Sequence, residues 1–264
     1  MVKLIITGAA GRVGTAIIKC ALEDADFQIV GLVESKTHPD IGKPSAIMAG
    51  KTDKPLLTED NLEKVIEKGD VVIDFTEAKA SMEYFRAVKQ HGKAHVIGTT
   101  GFSNDALAEI RGTKDMKAVI SPNMSIGMNV LFDVANKVAG VLKEGYDIEI
   151  VEMHHRWKKD APSGSALRIK DSIEATKPDQ KWIEIFGREG ITGERKAEEI
   201  GIMTLRGGDV VGEHTIYFAG MGERLEFTHQ AFSRDNFARG ALLAAKWLIQ
   251  QPYGIYSMKD VLGL

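Results

Sequence analysis

A chain of 264 residues, 44% hydrophobic and 27% charged, can bury one large core or two modest ones, and two domains are the better expectation. A formal charge of −3, with basic residues dispersed along most of the chain, excludes a broad nucleic-acid footprint. The single cysteine, Cys20, excludes an intramolecular disulfide and a cysteine-rich metal site, and the apolar runs are too short for a signal peptide or a membrane span, so a cytoplasmic protein is expected.

Residues 2–7 read as a buried strand, Gly8-Ala9-Ala10-Gly11-Arg12-Val13-Gly14 as a tight turn, and residues 15–22 as a helix in which Cys20 is a structural thiol. This is how a dinucleotide-binding fold opens. The GxxGxxG spacing departs from the commoner GxGxxG and alone is weak, but a second strand over 27–33 ends at Glu34, where a carboxylate can accept hydrogen bonds from an adenosine ribose. Lys36, two residues on, offers a point charge to a 2′-phosphate. Residues 37–56, punctuated by Pro39, Gly42, Pro44, Gly50 and Pro55, read as a long irregular connection, followed by a short helix over 61–68. Strands over 70–76, 94–97 and 117–120, with a helix over 79–91, predict a parallel sheet with right-handed crossovers. Thr76, the turn Gly98-Thr99-Thr100 and the turn Ser121-Pro122-Asn123-Met124 then fall at strand C-terminal ends, where such sheets bind ligands.

A helix over 127–142 leaves this region, with the domain boundary near Ser125, and a strand over 146–152 runs into Glu152-Met153-His154-His155-Arg156-Trp157-Lys158-Lys159-Asp160-Ala161-Pro162-Ser163-Gly164-Ser165-Ala166. If the extended period continues, His154, Arg156 and Lys158 share one face and His155 and Trp157 the other. Pro162 suits the first turn of a helix and Ser163 its cap, and Gly164 and Ser165 lack bulk over the exposed N–H groups, which makes an anion seat. Beside it stand Arg156, Lys158 and Lys159 and a histidine able to give or take a proton, a set suited to a carboxylated substrate that must be protonated. The helix ends near 176–178, and strands over 182–186, 200–205, 213–219 and 224–231 around a polar loop at 187–195 predict a mixed or antiparallel sheet whose edges invite pairing between copies. His214 and His229 lie inside strands and are read as structural. Arg234 precedes a helix over 236–250 that returns to the first domain.

The run from Glu152 to Ala166 closely resembles the signature of the dihydrodipicolinate reductase (4-hydroxy-tetrahydrodipicolinate reductase) family, E-x-H-H-x-x-K-x-D-x-P-S-G-T-A, with Ser165 in place of threonine. The resemblance extends from the glycine turn, through Arg234 before Phe237-Ala238-Arg239-Gly240-Ala241, to Val261-Leu262. It implies an α/β chain: a Rossmann-like parallel-sheet nucleotide domain, 1–125 completed by 235–264, and an α+β substrate-binding and oligomerisation domain, 126–234, through which the family forms homotetramers. It implies reduction of (2S,4S)-4-hydroxy-2,3,4,5-tetrahydrodipicolinate to (S)-2,3,4,5-tetrahydrodipicolinate by NADH or NADPH, with loss of water, in lysine biosynthesis via diaminopimelate. The residues implied for the cofactor are Gly8, Ala9, Ala10, Gly11, Arg12, Val13, Glu34, Lys36, Thr76, Gly98, Thr99, Thr100, Ser121, Pro122, Asn123 and Met124. Ser35 stands where some members carry arginine, so both cofactors are expected to work. His154 is expected to transfer the proton, Lys158 to donate a proton or stabilise charge, and His155, Ser163, Gly164, Ser165 and Arg234 to bind the small dicarboxylate.

Two alternatives are an amino-acid dehydrogenase of similar architecture, such as one acting on 2,4-diaminopentanoate, and a non-catalytic NAD(P)H-binding regulator. The run from Lys158 to Ser165 argues against the first and the presence of His154 and Lys158 against the second. Adjacent histidines diverge on a strand and lack a suitably spaced third ligand, which disfavours a metal centre, and Ser163 lacks the GxSxG elbow of a serine hydrolase.

Overall fold

In the computed structural model, which describes residues 1–48, 50, 55–142 and 144–264, β1 (Val2–Thr7) is apolar almost throughout because both of its faces are covered. A glycine turn leads from it into α1 (Arg12–Leu22), then β2 (Phe27–Val33), the short β3 (Thr58–Glu59), β4 (Val71–Asp74), α2 (Ala78–Gln90), β5 (Ala94–Ile97), α3 (Asn104–Gly112) and β6 (Lys117–Ile120). The expected helix over 61–68 is instead two 3₁₀ turns, Leu62–Lys64 and Ile66–Lys68. Leu62 and Ile66 are buried and anchor them, but the stretch is too short to propagate an α-helix. The irregular connection is tied to β3 by bridges from Ile41 and Pro44, while its positions 49 and 51–54 lie outside the described residues. Helix α3 goes beyond the expected elements: Ser103 caps it through the Ala106 N–H at 3.2 Å, and of its own residues only Ile110 is fully buried, so its periodicity is faint.

The second part of the chain forms α4 (Ile126–Leu142), β7 (Asp147–His154), α5 (Gly164–Glu174), β8 (Ile183–Ile185), β9 (Glu199–Arg206), β10 (Gly212–Gly220) and β11 (Glu223–Ala231). These strands make a mixed sheet in the order β11-β10-β7-β9-β8, antiparallel across β11, β10 and β7 and parallel across β7, β9 and β8. One face buries Ile148, Ile150, Ile200, Ile202, Ile216 and Phe218 in a core shared with α4 and α5.

The chain closes with α6 (Asp235–Leu248), β12 (Gly254–Tyr256) and α7 (Met258–Leu262). The last two lie beyond the expected elements; three residues of strand and five of helix are too short to leave a periodic signature. β12 adds to the edge of β6, giving an all-parallel seven-stranded sheet in the order β12-β6-β5-β4-β1-β2-β3. Ile17, Ile18, Ala241 and Leu248 belong to one core on this sheet, and Met82, Phe85, Val88 and Ile110 to a second. Contacts group the chain into two units, Met1–Ile126 with Arg234–Leu264, and Gly127–Ser233. Among the described residues no helix is long and apolar enough to cross a membrane.

Candidate active site

In the first unit the turn after β1 is built for close backbone approach. Gly8 has φ +64°, and a Cβ on Gly14 would lie 2.1 Å from the Gly8 carbonyl oxygen, so neither position accepts a side chain without displacement. Helix α1 starts at Arg12, three residues earlier than its periodicity suggested, so Arg12, Val13 and Gly14 form its first turn, with Gly11 as an N-cap lacking a side-chain bond. Bare amides at a helix N-terminus favour an anion. At the end of β2 the Glu34 carboxylate accepts the Ala10 N–H at 3.1 Å and the Ser35 N–H at 2.9 Å, which brings the ribose-type acid to the glycine turn. Lys36 is exposed just beyond.

Strands β4, β5 and β6, which follow one another outward from β1, deliver the other turns to the same sheet edge. Asp74 organises two of them: its Oδ1 accepts the Thr7 hydroxyl at 2.9 Å, the Thr76 N–H at 3.0 Å and the Thr76 hydroxyl at 2.6 Å, and the Thr76 N–H also reaches the Thr99 hydroxyl at 3.1 Å. Fully buried His95 lies 3.8 Å from the other Asp74 oxygen, too far for a hydrogen bond, and burial pushes its imidazole down to about 4. At the β6 turn the Ser121 hydroxyl donates to the Asn123 carbonyl at 2.8 Å. The Met124 side chain turns into the core, leaving only its backbone to face a ligand, and its carbonyl oxygen would be 1.7 Å from a Cβ on Gly240 of α6. Arg234, half-buried at the start of α6, groups with this unit; burial and the Arg12 charge both lower its proton affinity.

In the second unit the inward face of β7 reads Ile148, Ile150, Glu152, His154, apolar at first and polar at its C-terminal end. Register puts Thr204 of β9 and His214 of β10 on either side of Glu152, and Arg206 beside His154. Glu152 is fully buried and accepts the His154 Nδ1 at 2.6 Å, the Ser163 N–H at 3.0 Å, the Thr204 hydroxyl at 3.2 Å and two Arg206 N–H groups at 2.9 and 3.0 Å. Burial alone would raise its carboxyl, but the bonds from His154, Arg206 and Ser163 outweigh it and hold the group down at about 2. Ser163 caps α5 through the Ala166 N–H at 3.1 Å, and its hydroxyl also meets His214 Nε2 at 3.0 Å. Burial, with the nearby His154 adding to it, drives His214 down to about 3, so it is neutral. The His154 and His214 rings meet edge to face at 5.2 Å.

The strand does not continue through the cations. β7 stops at His154, where its neighbour β9 turns at Gly207 and Gly208, and the Gly207 and Arg156 N–H groups close the turn on His154 and Gly208 carbonyls. Arg156 and Lys158 therefore do not share a strand face with His154, and the expected alternation ends there. The His155 and Trp157 rings meet tilted at 40° with centroids 5.8 Å apart, and Lys158 pairs with Asp160 at 2.9 Å. Pro162 precedes the Ser163 cap and lies outside the helix rather than in its first turn. His154, His155, Lys158, Ser163, Gly164 and Ser165 fall on β7, the following loop and the start of α5 in this unit, whereas Arg234 groups with the other.

Four residues outside the sequence-derived set complete the cluster: Glu152, Thr204, Arg206 and His214. Glu152 shares a strand face with His154 at a spacing of two, a signal present in the sequence; Thr204, Arg206 and His214 come from strands some fifty or sixty residues away, and only register brings them in. His214, expected to be structural, lies in contact with the Ser163 cap and the His154 ring.

Residues 2–124 match the family model described as "Dihydrodipicolinate reductase, N-terminus", and residues 127–262 the one described as "Dihydrodipicolinate reductase, C-terminus". A 4-hydroxy-tetrahydrodipicolinate reductase of Syntrophus aciditrophicus is 46% identical, covering 100% of this chain and 99% of its own length. One of Desulfotalea psychrophila is 48% identical, with 100% and 99% covered. A solved structure described as dipicolinate-bound dihydrodipicolinate reductase from Paenisporosarcina sp. TG-14 superposes with a TM-score of 0.76 at 25% identity, over 98% of this chain and 99% of the other. With both halves matched and near-identical length shared with relatives at this level of identity, the chain belongs to the dihydrodipicolinate reductase family.

Proposed function

We infer that the first unit holds NADH or NADPH at the glycine turn, Glu34 and the turns at Thr76, Gly98–Thr100 and Ser121–Met124, and that the second binds a small dicarboxylate between His155, the Lys158 loop and the N-terminus of α5. As a member of its family the chain is an oxidoreductase that catalyses the NAD(P)H-dependent reduction of (2S,4S)-4-hydroxy-2,3,4,5-tetrahydrodipicolinate to (S)-2,3,4,5-tetrahydrodipicolinate, with loss of water, in lysine biosynthesis via diaminopimelate. The cradle at Gly8 and Gly14 fits a dinucleotide phosphate, and the Glu34 carboxylate fits ribose hydroxyls. Lys36 serves a 2′-phosphate as a point charge in place of arginine, so both cofactors work. Bound there, the reduced nicotinamide supplies the hydride.

The protein supplies charge and a proton. His154 delivers a proton to the electron density that a reduced conjugated imine leaves, and Lys158 neutralises a carboxylate beside it. His155, Ser163, Gly164 and Ser165 hold a carboxylate at the helix start. The observation that carries this reading is the placement of His154 and the α5 N-terminus on one polar cluster at the end of β7. The outer face of the five-stranded sheet carries Val151, Met153, Met203, Tyr217 and Leu205, the last 51% exposed, and serves as the surface through which a cytoplasmic homotetramer assembles.

The test mixes the protein with substrate generated from pyruvate and aspartate semialdehyde by the upstream synthase, and follows loss of nicotinamide absorbance separately for NADH and NADPH. Rapid loss with both is expected, and His154→Gln lowers kcat about 10²- to 10⁴-fold with cofactor affinity unchanged. An unchanged kcat removes His154 from the proton step. Light scattering on the eluting protein gives the mass of four chains if the sheet face is the interface.

A further inference from the structure

Glu152 has no exposure to solvent, yet its two oxygens gather donors from β7, β9 and the residue that caps α5. A carboxylate in that position is costly to bury and is commonly retained for what it orients. We propose that Glu152 is a positioning residue for proton transfer: clamped by Arg206, Thr204 and the Ser163 N–H, it holds the Nδ1–H of His154 and so presents Nε2 of that ring as the atom that takes up and gives the transferred proton. The proposal rests on the assignment of His154 to the proton step.

The geometry leaves the ring little choice. The 2.6 Å contact to a carboxylate, which only accepts, requires the proton on Nδ1. Nε2 then points toward Gly212 of β10, where a Cβ would lie 3.0 Å away, so this strand position is bare where the working nitrogen sits. Arg206 keeps its own second guanidinium nitrogen on the Asp160 carbonyl at 2.6 Å, which ties the clamp to the loop that carries Lys158. The charged and titratable groups around His154 are Glu152 on its own strand, Arg206 on β9, His214 on β10 with His229 behind it, and Lys158 with Asp160 in the loop. Burial keeps His214 and His229 biased to the neutral form, so Glu152 is the one carboxylate in contact with the ring among these groups. A carboxylate stabilises the imidazolium, which is the form that gives a proton, and an amide does not.

The test compares Glu152→Gln, His154→Gln and the double variant, with histidine-selective ¹⁵N spectra of the unaltered protein. Glu152→Gln is expected to lower kcat at neutral pH about 10- to 100-fold, less than loss of the acid itself, with KM little changed and the alkaline limb of the kcat profile moved to lower pH. Adding Glu152→Gln to His154→Gln is expected to cost nothing further, because the two act as one unit. Multiplying losses in the double variant, or a single variant with an unchanged pH profile, would make Glu152 merely structural and overturn the proposal. Should Glu152→Gln fail to fold, the spectra decide: Nδ1 of His154 is expected to stay protonated across the native pH range while Nε2 gains and loses its proton, and a neutral ring with Nδ1 bare and the proton on Nε2 overturns it. Full activity in His154→Gln would instead sink the proton assignment on which the proposal stands, a separate and distinguishable failure.

Discussion

Glu152 and Arg206 show how one buried charge sets the stability of a site. Arg206 contributes two of the five donors to a carboxylate with no access to water, so Arg206→Met leaves that charge half-paired and is expected to cost about 3 kcal/mol, read from urea denaturation at pH 7. The same residues shape acid stability. Glu152 sits at about 2 when folded against an ordinary 4.5, so the unfolded chain binds the extra proton between those values; its contribution is complete above about pH 4.5 and is lost as pH falls toward 2. His214, at about 3 against an ordinary 6.5, acts in the same direction over a higher window, and its contribution begins to fall below about pH 6.5. Thermal melts from pH 7 to 4 should therefore show an early loss of Tm that is reduced in His214→Gln; identical slopes in the two proteins would mean that the imidazole charges freely when folded.

The elements are held in place by contacts with little tolerance. Helix α6 approaches the turn after β6 so closely that a Cβ on Gly240 would overlap the Met124 carbonyl oxygen, a backbone atom that cannot swing aside. Gly240→Ala is expected to cost about 1–3 kcal/mol by overpacking and to weaken cofactor binding, measured by nicotinamide fluorescence titration, because the displaced turn carries Asn123. At α5 the Ser163 hydroxyl both caps the helix and meets His214, so Ser163→Ala should cost about 1–2 kcal/mol, at the upper end for a lost cap, and lower the thermal midpoint accordingly. The glycine turn, the strands around it and the signature helix were legible because each combines local chemistry with strong periodicity. α3, β12 and α7 were not, since short pieces carry little period and are held by what they pack against.

At the scale of the molecule, the parallel-sheet unit is discontinuous, with β12 of the C-terminal segment pairing β6 and α6 packing in the same core as α1. Lys117 donates to the Ile249 carbonyl at 2.9 Å, and Lys246 pairs with Asp26, so the two segments are tied at several points. Saturating NADH at about one hundred times Kd should stabilise this unit by about 2.7 kcal/mol, and hydrogen exchange should slow at the glycine turn, Thr76, Gly98–Thr100 and Ser121–Met124. Protection confined to other segments would displace the cofactor assignment.

The sequence by itself determined the α/β class, the succession of a parallel-sheet unit and a mixed-sheet unit, and the run from Glu152 to Ala166, because these rest on local period, turn chemistry and contiguous residues. Only the tertiary structure decided the end of β7 at His154, the placement of Arg234 with the parallel-sheet unit, and the company of Glu152. Thr204, Arg206 and His214 meet that carboxylate through strand register, and a one-residue slip would turn each of them to the opposite face. Pairing between distant strands is a property of the folded sheet, and no stretch of the chain read alone contains it.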